Sequence, residues 1–134
     1  MVSSMKKPSK EWKEFGQIIS IVDIKIAKYQ RILSKLKKEK EKLVNLDQKL
    51  WNEINFQQVK LKELNIENYV DNLKGYFGSR EKLKSNIESI FFDASVNSQK
   101  IKQVDQDIES HILLKASLEK RKDALVEVRH NYAG

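Results

Sequence analysis

The sequence predicts an all-α fold: an elongated antiparallel two-helix coiled-coil hairpin with a short helical or irregular tip. Three observations carry this. Apolar residues recur alternately three and four apart from Trp12 to Leu64, and a second such series runs from Leu83 to Tyr132. One proline and four glycines in 134 residues leave few places for repeated turns, so long uninterrupted helices are the economical solution, whereas a β-rich fold would need more turns. With 34% of residues charged and 8% aromatic, the composition also departs from an ordinary globular domain.

The chain divides into a flexible head at 1–8, a first arm at 9–64, a tip or turn at 65–79 and a second arm at 80–132. The head is polar and ends at Pro8-Ser9. Ser9 can cap the free amides of a helix, and Glu11 suits the positive end of its dipole.

In the first arm the series is Trp12, Phe15, Ile19, Val22, Ile26, Tyr29, Leu33, Leu36, Lys40, Leu43, Asp47, Leu50, Ile54, Gln57, Leu61 and Leu64. Thirteen of these sixteen positions are apolar, a heptad pattern with Trp12, Ile19 and Ile26 at a and Phe15, Val22 and Tyr29 at d. A continuous helix over this span would measure about 80 Å at 1.5 Å per residue.

The second arm is less regular. Leu83, Ile87, Ile90, Ala94, Asn97, Ile101, Val104, Ile108, His111, Lys115, Leu118, Lys122, Leu125, Arg129 and Tyr132 follow the same spacing, with ten apolar members of fifteen. Toward the C-terminus, Leu114, Leu118, Leu125, Val128 and Tyr132 make a more apolar stripe, so a stutter that rotates the contact face near His111 is expected. Leu64 and Leu83 are nineteen residues apart where an unbroken heptad needs twenty-one, which requires an interruption between the two series.

That interruption falls in NIENYVDNLKGYFGS. Asn65-Ile66-Glu67-Asn68 can turn or cap, Tyr69, Val70, Leu73, Tyr76 and Phe77 form a short helical pattern, and Gly78-Ser79 can end one helix and start the next. Two arms of similar length then fold back on each other. For a hairpin centred near residue 72, Asp47 falls close to Asn97, and Lys40 close to Asp105 and Asp107. Such polar seam residues would fix the alignment at some cost in stability.

No catalytic constellation is present. The chain has no cysteine, and its two histidines, His111 and His130, are nineteen residues apart. HExxH, a glycine-rich phosphate loop and a nucleophile motif are all missing. The chain therefore reads as a non-enzyme, without cofactor or metal. No stretch approaches the ~18 apolar residues of a membrane span, so no membrane insertion and a cytoplasmic location are expected.

Charge is uneven. Residues 1–63 hold 15 Lys+Arg against 8 Asp+Glu, whereas residues 64–134 hold 11 against 11. The basic first arm suits an acidic partner. It suits nucleic acid less well, because lysines alternate with glutamates, arginines number four and no aromatics are interleaved for stacking. Tyr69, Val70, Leu73, Tyr76 and Phe77 concentrate apolar area at the tip, either as a plug over the end of the hairpin or as a docking patch for a partner.

Size, a basic two-arm coiled coil, aromatic and aliphatic seam residues in the first arm, and the tip IENYVDNLKGYFGSREKLKSNI together resemble the central-stalk proteins of type III secretion ATPases, the SctO/YscO group with its flagellar relative FliJ. The resemblance covers most of the chain. It implies a stalk whose termini enter the pore of a hexameric export ATPase and whose other end is directed to the export gate protein, with export chaperones as further partners. On that mapping the ATPase-facing residues are Trp12, Phe15, Lys25, Lys28, Arg121, Lys122 and Arg129, and the gate-facing residues are those of the tip, especially Leu73, Tyr76 and Phe77. The implied location is cytoplasmic, peripheral to a bacterial secretion apparatus. The alternative is a basic coiled-coil adaptor that binds nucleic acid or chaperones a partner.

Overall fold

A computed structural model describes residues 9–133, so the 1–8 head lies outside the described residues. Helix α1 spans Lys10–Glu63, a single 3-10 turn spans Ile66–Tyr69, and helix α2 spans Leu73–His130. The two long helices pack against each other as a helical hairpin, with no strand among the described residues.

Helix α1 starts where its sequence directs. The Trp12 amide donates to Ser9 Oγ at 3.1 Å and the Lys13 amide to the Ser9 carbonyl at 3.2 Å. Glu11 lies in the first turn, and Lys60 and Lys62 lie in the last, where a cation complements the helix dipole.

The turn differs from expectation. Gly75 and Gly78 do not break the chain; they lie within the first two turns of α2, which begins at Leu73 and not near residue 80. Two asparagines make the turn instead. Asn65 Oδ1 accepts from the Glu67 amide at 2.9 Å and opens the 3-10 turn. Asn72 Oδ1 accepts from the Gly75 amide at 2.9 Å, and its carbonyl accepts from the Tyr76 amide at 3.2 Å, which starts α2. A short side-chain oxygen satisfies amides that a helix start leaves free, so capping fixes this boundary without a left-handed glycine. Gly75 serves the cap: a methyl group there would stand 2.5 Å from Asn72 Nδ2.

The packed chain forms two compact units, each built from both helices. One unit holds α1 up to Lys37 and α2 from Gln106; the other is Lys38–Asp105, with the turn. In the first, Ile19, Val22 and Leu33 are buried; in the second, Ile54, Ile87, Ala94, Asn97 and Val104 are. Every one of these is an a or d position of the two heptad series. Ile54, 1% exposed, is the most deeply covered. Removing such a side chain from water stabilises by about 1.5–3 kcal/mol, and a two-helix seam supplies few of them.

The stutter expected near His111 does not occur. Leu114 and Val128, which only the shifted stripe uses, remain 46% and 41% exposed, while Lys115, Lys122 and Arg129 hold the heptad positions, half-buried. Long stems can line a seam while their charged heads reach out. Each head has an acceptor: Lys122 Nζ meets Asp23 Oδ1 at 2.7 Å, Lys115 Nζ meets Glu119 Oε1 at 3.4 Å, and Arg129 reaches the Trp12 carbonyl. Satisfied cations thus replace the aliphatic stripe, and the face need not rotate.

The polar pairs of the second unit follow the predicted alignment in part. Lys40 Nζ lies 2.7 Å from Asp105 Oδ1. Asn97, 3% exposed, donates through Nδ2 not to Asp47 but to the Leu43 carbonyl at 2.8 Å, and its Oδ1 has no partner.

Candidate partner-binding surfaces

The start of α1 and the end of α2 meet in one cluster. Phe15 stacks on Tyr132 with ring centroids 5.6 Å apart, and Ser9 Oγ donates to the Tyr132 carbonyl at 3.4 Å. Arg129 lies over the Trp12 ring, 3.6 Å from its centroid, and its Nε donates to the Trp12 carbonyl at 3.0 Å. Gly16 makes room, since a methyl group there would stand 2.5 Å from an Arg129 terminal nitrogen. An open hollow of about 430 Å³ lies beside this cluster, lined by Trp12, Val126, Glu127, Arg129, His130 and Ala133.

The seven residues assigned to an ATPase-facing surface therefore separate into two groups. Trp12, Phe15, Lys122 and Arg129 are half-buried and engaged with this chain's own residues. Lys25, Lys28 and Arg121 are exposed, and among the described residues none of the three is in an ion pair. The hydrogen bond and charge of Asp23, helped by Asp123 and Glu119, hold the Lys122 ammonium above its ordinary pKa, against a smaller opposing effect of desolvation.

At the turn, the five apolar residues also behave differently from one another. The Tyr69 and Tyr76 rings tilt together at 5.9 Å, and Tyr76 meets the Phe77 ring edge-on at 5.2 Å. Both tyrosines are half-buried. Val70, Leu73 and Phe77 are 71%, 50% and 49% exposed. The tyrosines thus close the end of the second unit, and the other three present apolar surface to solvent.

Sequence reasoning missed the apolar residues off the seam. In the second unit Trp51 and Phe91 meet edge-on at 5.5 Å while 44% and 39% exposed, and Phe92 is 68% exposed. In the first unit Ile18 and Ile21 are exposed. Their signal is present in the heptad. Positions flanking a and d should be polar in a two-helix hairpin, and isoleucine or tryptophan there marks surface that the hairpin itself does not cover.

Among the described residues no three His, Asp or Glu side chains converge to hold a metal ion. His111 Nδ1 lies 2.6 Å from the Asp107 carbonyl, to which it can donate, and its ring leans on Tyr29 at 5.7 Å. No helix among the described residues is long and apolar enough to cross a membrane. No protein-family profile matches the chain, and no curated protein or solved structure is similar to it.

Proposed function

We propose that this chain is the non-enzymatic central stalk of a type III secretion export ATPase. In this reading its paired termini insert into the pore of the hexamer and stimulate ATP hydrolysis, and its turn contacts the export gate. The resemblance described above supplies the identity of the partners. The observation that favours it most is the terminal cluster, in which Trp12, Phe15, Arg129 and Tyr132 bind the first helical turns of α1 to the end of α2.

An element that inserts into a ring must keep its two strands together while each ring subunit meets a different side of it. Ring stacking and a cation over an indole resist fraying at the end where a helix is weakest. Basic side chains would steer such an end into an acidic pore, in a salt-sensitive way. Lys25, Lys28 and Arg121 fit that role, because their charges are not spent within the chain. Lys122 and Arg129 fit it less well, since both hold the hairpin shut. The exposed Val70, Leu73 and Phe77 offer the gate an apolar contact. The chain would act in the bacterial cytoplasm, at the base of the secretion apparatus, where export chaperones are further partners.

The test is hydrolysis by the cognate hexameric ATPase with and without this protein. A higher rate with the protein, reduced by combined reversal of Lys25, Lys28 and Arg121, is expected. An unchanged rate at saturating protein refutes the stalk reading.

A further inference from the structure

Around each helix, positions g and c flank the seam on its d side, whereas e and b flank it on the a side. In the first unit the e side is electrically closed, because Lys122 is paired with Asp23 there. The g side is not. On α1 it carries Ile18 and Lys25 at g, with Ile21 and Lys28 at c; on α2 it carries Leu114 and Arg121 at g, with Ser117 at c. The two helices present these positions together, since Lys25, Lys28, Leu114, Ser117 and the seam residues Tyr29 and Leu118 line one open groove of about 260 Å³.

The flank that holds this groove combines two incomplete surfaces, with Leu114 in the groove's lining and Ile18 and Ile21 beside it at the g and c positions of α1. Ile18, Ile21 and Leu114 are 40%, 54% and 46% exposed, more apolar area than a solvated flank needs. The three cations of this flank, Lys25 and Lys28 in the groove's lining on α1 and Arg121 at the g position one heptad beyond Leu114 on α2, have no carboxylate partner among the described residues. Ser117 keeps the α2 wall low. A helix laid along the groove would bury the aliphatic side chains and, if it carried carboxylates on its flanks at i and i+3 or i+4, would meet Lys25 and Lys28 on one side and Arg121 on the other.

We propose that this flank is a docking groove for a third helix: an acidic amphipathic helix supplied by a partner protein. The inference builds on the stalk reading by naming the element of the ATPase that would contact this end, yet its surface exists whichever protein supplies the helix. The charge pattern selects acidic over basic helices, and the aliphatic floor selects a helix over an extended polyanion.

The test uses the full-length protein and two synthetic 21-residue amphipathic peptides with identical Leu/Ile faces, one flanked by Glu and one by Lys, with binding read by fluorescence anisotropy at low and physiological salt. The Glu peptide should bind at least tenfold more tightly than the Lys peptide. It should lose about tenfold on combined Lys25→Glu, Lys28→Glu and Arg121→Glu substitution, and should weaken on Ile21→Ser. A reversal of equal charge elsewhere, Lys38→Glu with Lys42→Glu and Lys49→Glu, should leave it nearly unchanged.

If circular dichroism shows that the triple reversal unfolds the hairpin, the Lys25→Gln, Lys28→Gln, Arg121→Gln variant replaces it and must show the same loss. Equal binding of both peptides, equal loss in the control reversal, tighter binding of duplex DNA than of the Glu peptide, or no binding would each overturn the proposal. The two readings fail separately. ATPase stimulation that is insensitive to the triple reversal removes the groove and leaves the stalk, whereas selective binding of the Glu peptide without stimulation leaves the groove and removes the stalk.

Discussion

The guanidinium of Arg129 lies over the indole of Trp12, 3.6 Å from its centroid, and donates to the carbonyl of the same residue through Nε at 3.0 Å. One side chain near the end of α2 thus grips both the face and the backbone of the first turn of α1. Truncation to Arg129→Ala should cost on the order of 1–2 kcal/mol, from the lost cation–π contact and hydrogen bond. It should speed hydrogen exchange at the ends of both helices before exchange elsewhere changes. Gly16→Ala should produce a milder version, because its new methyl group displaces only the mobile head of Arg129. Mass-spectrometric exchange on the two variants checks the order of effects.

Asp23 and Lys122 give the first unit a pH dependence of known sign. The folded-state pKa of Lys122 is raised above its ordinary 10.5, chiefly by the hydrogen bond to Asp23. The stabilisation is therefore fully present below the unfolded lysine pKa and is lost as pH rises through the folded value. The difference in melting temperature between the wild type and Asp23→Asn should persist from neutral pH up to about pH 10 and shrink above it. A difference that grows at alkaline pH contradicts the pairing.

Asn97 is buried with one unsatisfied oxygen and one amide on the Leu43 carbonyl. A buried polar group at a d position costs stability and restricts alignment. Asn97→Leu should raise the melting temperature while admitting slipped or oligomeric pairings. Sedimentation of the variant together with its thermal unfolding checks both halves of this expectation.

Ile54 and Val70 set the scale of side-chain effects. Ile54, 1% exposed, should cost about 2–4 kcal/mol on truncation to alanine. Val70, 71% exposed, should change stability by less than about 0.5 kcal/mol when replaced by serine. Chemical denaturation of the two variants gives the comparison, and any loss of partner binding in Val70→Ser would then report on contact and not on folding.

Much of this fold is legible because a heptad records which face of a helix leaves water. Each buried residue of α1 and α2 lies on a seam position that spacing alone picks out, including the polar Asn97. Two features escaped for physical reasons. The pattern suggested that one helix ends and the next starts at Gly78-Ser79, but a helix tolerates glycine near its start when Asn72 caps it, so side-chain hydrogen bonding decided the boundary. Hydrophobicity suggested a rotated face near His111, but Lys122 and Arg129 line the seam with their stems and satisfy their charges on Asp23 and Trp12. The surfaces were less legible still. Whether a cation such as Arg129 is free for a partner or held within the chain depends on pairings across the hairpin that spacing along one helix cannot reveal.

Asp23 pairs with Lys122 and Lys40 with Asp105, each pair centred between residues 72 and 73, as a chain that reverses once at the turn requires, and the whole account rests on that reversal. Because the protein has no cysteine, the double variant Asp23→Cys with Lys122→Cys tests it directly. Oxidation or a short bismaleimide at dilute protein should join the two positions within a single chain, seen as one internally crosslinked peptide pair at the mass of a monomer. Crosslinks that form only between chains, or a failure of positions 23 and 122 to react with each other at all, would contradict the hairpin and the functional reading built on it.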